Sequence, residues 1–207
     1  MDPVTLQSIE IPDSIKDIPL SGRATQLIDE ANDRIEAFML ADQAVIENYV
    51  NCDFELLDQA LDWIKQNHLL TGSRFCELGS GFGVAAMLAA IRGMESVGIE
   101  IESSLVEQSS DLAEDLNLAA EFFCGSFIPH DLAGALEMAT EIEHIETTEV
   151  DVYDEIGLAM DDFDLFFAFP WPGEHTFFES VFDACAADGA LLLTYRGRDG
   201  MNLVRKD

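Results

Sequence analysis

Apolar residues recur along this chain with two different periods. Leu27, Ile28, Ala31, Ile35, Phe38, Met39 and Ala41 fall three or four apart and predict a helix over residues 23–48. Leu56, Leu57, Ala60, Leu61 and Ile64 repeat that spacing from Phe54 to about Asn67, with Asp53 placed to cap the first turn. Residues 1–22 carry Pro3, Pro12 and Pro19 without a clear period and read as an extended arm. After Gly72 the pattern alternates. Short apolar runs at 74–78, 95–100, 119–124, 163–168 and 189–195 predict strands. The stretches 84–92, 103–116, 131–140 and 174–187 between them predict helices. In 103–116 the helical face is partial, set by Leu105, Leu112 and Leu116.

Strands that alternate with helices imply a parallel sheet covered on both faces. The near-continuous apolar runs Leu165–Phe169 and Ala190–Leu193 suit strands buried on both sides. Near the end, Arg198-Asp-Gly200 has the composition of a hairpin turn, so Met201–Arg205 is expected to return antiparallel at the sheet edge. The expected fold class is α/β: a Rossmann-like, mostly parallel sheet of about six strands with an antiparallel C-terminal edge strand, plus N-terminal helices. Residues 1–70 would form an arm and helical cover, and residues 71–207 the sheet domain.

Composition narrows the function. The net charge is −31, from 41 acidic and 10 basic residues. Lysine occurs only as Lys16, Lys65 and Lys206, and the arginines are scattered. Such a field repels phosphate backbones, which disfavours nucleic acid as a partner. It also keeps the chain soluble whatever its function. Cys52, Cys76, Cys124 and Cys185 lie far apart with no C-x-x-C pair, and Cys76 and Cys124 sit in strand-like runs, so reduced core thiols are expected. His68, His130 and His144 lack metal-ligand spacing, so no metal site is expected. Glu141, Glu143, Glu146 and Glu149 read as a solvated face. With no apolar N-terminal segment and no membrane-length apolar run, a cytoplasmic protein without membrane contact is expected.

Four motifs carry chemistry. Phe75-Cys-Glu-Leu-Gly-Ser-Gly-Phe-Gly-Val84 is a buried strand, an acid, a three-glycine turn and a helix start. Gly79, Gly81 and Gly83 let the backbone approach a ligand, and the helix aims free N–H groups at the same place. A dinucleotide loop is G-x-G-x-x-G; here Val84 stands at the third glycine, and Glu77 would repel a pyrophosphate. An acid there suits a cationic amine. Ser96-Val-Gly-Ile-Glu100 then ends a strand in an acid 21 residues after Gly79. That spacing suits a carboxylate that accepts two ribose hydroxyls. Phe123-Cys-Gly-Ser-Phe127 offers a hydroxyl at Ser126 and a ring at Phe127. Last comes Phe169-Pro-Trp-Pro172, a stiff loop with free carbonyls and an aromatic wall at Trp171. His175 follows it as a candidate base.

Taken in this order, the motifs over about residues 45–195 resemble the class I S-adenosylmethionine-dependent methyltransferases, and among them a bacterial group with a Pro-Trp-Pro loop after the fourth strand. The resemblance implies S-adenosylmethionine as cofactor. It implies that Glu77, Gly79, Ser80, Gly81 and Gly83 hold the methionine part and Glu100 the ribose. Ile101, Ser126 and Phe127 would surround the adenine. Phe169, Pro170, Trp171 and Pro172 would line the methyl-acceptor side, with His175 and Trp171 as catalytic candidates. Two departures stand out. Many relatives have an acid where Ser126 stands, and amino-methylating relatives have Asn or Asp where Phe169 stands. The family core also ends in a crossover helix and two more strands, for which too little chain follows Tyr195. In the same group an aromatic–Val–x–x–Asp segment occurs at this place, here Tyr49-Val-Asn-Cys-Asp53, and would close over the cofactor; helix capping explains Asp53 without a ligand and is the preferred reading.

The expected activity is therefore methyl transfer to an unidentified small-molecule or protein acceptor. A cofactor-binding protein without transfer activity is the first alternative, and a nicotinamide-dependent oxidoreductase the second. The oligomeric state is open.

Overall fold

A computed structural model describes residues 6–41, 52–130, 132 and 151–207 of the chain. The expected helix at 131–140, the glutamate run at 141–149, His144, residues 42–48 and residues 49–51 lie outside the described residues.

Strands β2 (Arg74–Leu78), β3 (Glu95–Glu100), β4 (Ala120–Cys124), β5 (Leu165–Ala168) and β6 (Leu191–Tyr195) are parallel neighbours in the order β6-β5-β2-β3-β4. β7 (Met201–Lys206) returns antiparallel on β6 after a tight turn, with Arg196 N–H donated to Gly200 O at 2.8 Å. The sheet is the α/β type expected, with one strand more. Part of the arm read at 1–22 is β1 (Leu6–Ile9), which pairs antiparallel with β7, so the C-terminal strand is covered instead of forming the edge. Thus two strands lie beyond β6, where the short chain after Tyr195 led to the expectation of one. A hairpin supplies one and the N-terminus the other, without a crossover helix.

The helices α1 (Gly22–Ala41), α2 (Phe54–Gln66), α3 (Val84–Ile91) and α4 (Ser103–Asp115) cover one face. Their cluster of buried side chains joins Ile15, Leu27 and Leu61 to Phe75, Phe167 and Leu193 of the sheet. The short helix α5 (Val152–Ile156) and α6 (His175–Cys185) cover the other, packing Tyr153, Phe178 and Phe182 on Phe166, Ala168 and Leu192. Period-2 alternation along β5 and β6 explains the split: odd residues go to the first layer and even residues to the second.

Asp53 caps α2 by accepting Leu56 N–H at 3.0 Å. Buried Asp58 of α2 takes both Nε and Nη2 of Arg92 at 3.0 and 2.6 Å, and this bidentate pair fastens α2 to the end of α3. The arm is tied as well, since Gln59 Nε2 donates to the carbonyls of Lys16 and Ile18. Cys76 is buried as expected, but Cys124 is exposed. It ends β4, an edge strand whose neighbour covers it on one side only. Among the described residues, no helix is long and apolar enough to cross a membrane.

Candidate functional site

In an open parallel sheet the loops at the strands' carboxyl ends converge, and ligands bind there. β2 delivers Glu77 and Leu78 to that end, and the turn Gly79–Gly83 follows. All three glycines have positive φ, at 72°, 52° and 69°. Gly79 and Ser80 both donate their N–H to Ile99 O at 2.9 Å, which pins the turn against β3. Gly83 is required twice over. A Cβ there would stand 2.2 Å from the Phe122 ring, and one at Gly98 would stand 2.6 Å from the same ring. Phe122 of β4 therefore fills the space that two glycines leave open, and it sets how close α3 lies to the sheet.

Glu77 is only 6% exposed. Its Oε2 accepts Ala86 N–H at 2.9 Å, inside the first turn of α3. The N-cap position of α3 is Gly83, which has no side chain, so Glu77 serves as the cap from the neighbouring strand. Burial pushes its carboxyl up to about 8, against the pull of the Ala86 and Ala85 N–H groups, and the nearby Glu100 charge raises it further. A cationic ligand group would reverse that balance.

Glu100 ends β3 with its carboxylate already engaged. Oε2 accepts Gly81 N–H at 2.7 Å, and Oε1 accepts Ile101 N–H at 2.8 Å and Glu102 N–H at 3.1 Å. A carboxylate has roughly four acceptor sites, so Glu100 braces the glycine turn and keeps limited capacity for a ligand. Reading the motif from spacing alone missed this bracing. The hydroxyl of Ser80 is buried with no partner among the described residues.

β4 leads to Ser126, whose Oγ accepts Ile128 N–H at 3.3 Å. Phe127 stacks on Phe178 with centroids 5.0 Å apart, and its carbonyl takes the Tyr153 hydroxyl at 2.9 Å. Tyr153 was not among the sequence candidates, and it holds this turn from the opposite layer.

β5 leads to the proline loop. Trp171 N–H is donated to Glu174 Oε2 at 3.2 Å, and Glu174 N–H to Trp171 O at 3.0 Å. This reciprocal pair closes the loop on itself and buries the acid. Phe169 meets Tyr195 of β6 with ring centroids 4.9 Å apart, and burial, then the nearby Asp53 carboxylate, raises the Tyr195 hydroxyl's pKa. Burial, with the Glu77 charge adding to it, pushes the Cys52 thiol well up. His175 opens α6. Burial and Arg196 lower its pKa, which keeps it neutral, and its Nδ1 is buried without a partner among the described residues. The described residues include no cluster of His, Cys, Asp or Glu able to hold a metal.

The site residues thus come together at one end of the sheet, the Gly79–Glu100 group over β2 to β4 and the Phe169–His175 group over β5 and β6. Thr194 and Asn202 pair across β6 and β7 near the same end, on the sheet face under α6, where Arg196 donates to Glu179 at 2.8 Å.

No protein-family model matches the chain, and no curated protein matches it in sequence. Solved structures do. A methyltransferase from Geobacter sulfurreducens is 15% identical with TM-score 0.51, covering 92% of this chain and 93% of that one. An RNA methyltransferase from Salinibacter ruber, in complex with S-adenosyl-L-homocysteine, is 16% identical with TM-score 0.50, covering 76% and 92%. The chain has the fold of the class I methyltransferases. At this identity the likeness establishes architecture, and the site's own chemistry has to carry function.

Proposed function

We propose that this protein is an S-adenosylmethionine-dependent methyltransferase acting on a small-molecule or protein acceptor. The observation that carries the reading is the pair of buried acids, Glu77 and Glu100, on either side of a left-handed glycine turn. The Glu100 charge makes that turn a poor cradle for a pyrophosphate, and Glu77 can give up its proton to face an ammonium or sulfonium. The unpartnered Ser80 hydroxyl adds a polar group to the same turn.

When bound, S-adenosylmethionine supplies an electrophilic methyl that passes to a nucleophile by in-line displacement. The chain's own part is alignment and exclusion of water. Glu77 would hold the amino group of the cofactor as a carboxylate, with Gly79, Ser80, Gly81 and Gly83 shaping the turn around it. Glu100 would accept from the ribose while bracing Gly81. Ile101, Ser126 and Phe127 would border the adenine. Phe169, Pro170, Trp171 and Pro172 would align the acceptor, and neutral His175 is in the form that takes up a proton. The acidic exterior argues against a nucleic-acid acceptor.

Titration calorimetry with S-adenosylmethionine and with NAD tests the cofactor. Binding of the first and none of the second is expected, and the reverse would overturn the proposal. Labelled-methyl transfer to a panel of small molecules and peptides tests the activity, with Glu100→Ala lowering turnover at least 100-fold. Cofactor binding without transfer to any member would favour a binding protein, a reading that Phe169 keeps open by standing where amino-methylating relatives have a polar residue.

A further inference from the structure

Three consecutive residues at the start of α5 each grip the turn that follows β4. The Tyr153 hydroxyl donates to Phe127 O at 2.9 Å. Asp151 Oδ2 accepts His130 N–H at 3.0 Å, while its Oδ1 accepts Tyr153 N–H at 3.0 Å and caps α5. Val152 lies so close that a Cβ built on Gly125 would stand 2.9 Å from the Val152 Cβ. Glycine is therefore what lets the turn come down onto the helix. The Phe127 ring is held too, stacked on Phe178 of α6.

These contacts are buried. Tyr153 is 7% exposed and Val152 2%, and both belong to the apolar cluster that contains Ile128 and Phe178. Burial raises the Tyr153 hydroxyl's pKa well above its ordinary value, so the group keeps its proton and serves as a donor. A carbonyl in a turn has no partner in the strand ladder, and Tyr153 supplies one for Phe127. The other side of the turn is tied to β3. Gly125 N–H donates to Glu100 O at 2.9 Å, continuing a ladder in which Glu100 stands opposite Cys124. The Glu100 carboxylate in turn accepts Gly81 N–H at 2.7 Å. One run of contacts thus leads from α5 through residues 125–130 to the end of β3 and the glycine turn.

We infer that Tyr153 is a positioning residue which, with Asp151 and Val152, sets the turn at 125–130 and so shapes the adenine side of the cofactor pocket. The inference rests on the methyltransferase reading, which puts Ser126 and Phe127 beside the adenine; the contacts themselves do not. Tyr153 acts through Phe127, since its hydroxyl is spent on that carbonyl. A purine is told from its analogues by hydrogen bonds along its edge, and these weaken steeply when donor and acceptor lose alignment. Removing the hydroxyl leaves Phe127 O without its donor, and the turn then shifts to find another.

The test is titration calorimetry on the full-length chain with S-adenosylhomocysteine and S-inosylhomocysteine, which differ along the N1–C6 edge of the purine. The parent should prefer the adenosyl compound. Tyr153→Phe removes the hydroxyl and keeps the ring. It should weaken S-adenosylhomocysteine about fivefold, the size of one hydrogen bond, and S-inosylhomocysteine less than about twofold, so that the preference falls. Asp151→Asn keeps the size but loses one of two acceptors, and should act in the same direction; it serves as the independent variant should Tyr153→Phe not fold. A purely structural role lowers the urea midpoint and leaves the preference unchanged. Affinity within twofold of the parent with an unchanged preference would therefore overturn the inference, as would a parent that binds both compounds equally. A parent that binds neither compound sinks the methyltransferase reading and this inference with it. Adenosyl preference in the parent that both variants retain sinks only this one.

Discussion

The two halves of the site differ in how far the protein satisfies its own polar groups. Over β2 to β4, Glu77 caps α3 and Glu100 takes three backbone N–H groups, so the acids are held before any ligand arrives. Over β5 to β7, a proline loop is closed on Glu174, but on the sheet face under α6 Thr194 and Asn202 keep buried polar atoms without a partner among the described residues. A turn that must present its backbone in one conformation gains from internal bracing, which reduces the ordering left to binding.

The largest effect expected from breaking this contrast is at Glu77. Its folded pKa of about 8 lies above the roughly 4.3 of a free glutamate, mainly because of burial. Between those values the native state holds the proton more tightly than the unfolded chain. Stability contributed at this site is therefore complete below about pH 4.3, falls as pH rises, and levels off above pH 8. The slope is at most about 1.4 kcal/mol per pH unit, or on the order of 4 kcal/mol over three units. Glu77→Gln should remove that slope, as read by urea melts of both proteins from pH 5 to 8. Equal slopes would mean that Glu77 is ionised throughout. The same shift has a binding signature. A cationic group docked on Glu77 at pH 7 should release close to one proton, visible as a binding enthalpy that depends on the buffer's ionisation enthalpy.

Next in size is a pair of alanines in the glycine turn. Gly79 and Gly83 both sit near φ 70°, but a Cβ at Gly79 meets nothing within 4 Å, whereas at Gly83 it strikes Phe122 and Ser109. Gly79→Ala should cost only the left-handed backbone strain, about 1 kcal/mol. Gly83→Ala adds overpacking and should cost about 3 kcal/mol. Equal losses in chemical denaturation would show that Phe122 moves aside freely and that the turn is braced less firmly than the cofactor half requires.

Why one half was easier to read than the other follows from locality. The strand over 95–100 and the helix from Val84 appear where their patterns place them, because period and glycine signals act within a few residues. Glu77, Gly81 and Glu100 lie in such local runs, so the turn they build was legible from spacing. β1 was missed because its partner β7 lies at the far end of the chain and four residues carry little period of their own. The Thr194–Asn202 pair and the Arg196–Glu179 bond were missed for a related reason. The first depends on the β6–β7 register and the second on Glu179 reaching down from α6, and neither is written in neighbouring residues. The exposure of Cys124 likewise depends on β4 being an edge, a property of the whole sheet.

The smallest effect expected is at the aromatic pair of the acceptor half. Phe169 and Tyr195 face each other at 4.9 Å and 58°, and both are only half-buried. A tilted pair of this kind contributes about 1 kcal/mol beyond the area it covers. A double-mutant cycle with Phe169→Leu and Tyr195→Leu should return a coupling of about that size. Cofactor affinity in all three variants should stay within twofold of the parent, because Glu77 and Glu100 are held by backbone N–H groups of the glycine turn and its neighbours and not by either ring. Methyl transfer or acceptor binding should change far more. Were cofactor affinity to fall along with it, the proline loop and the glycine turn would act as one unit, and the separation between a braced half and an open half would not hold.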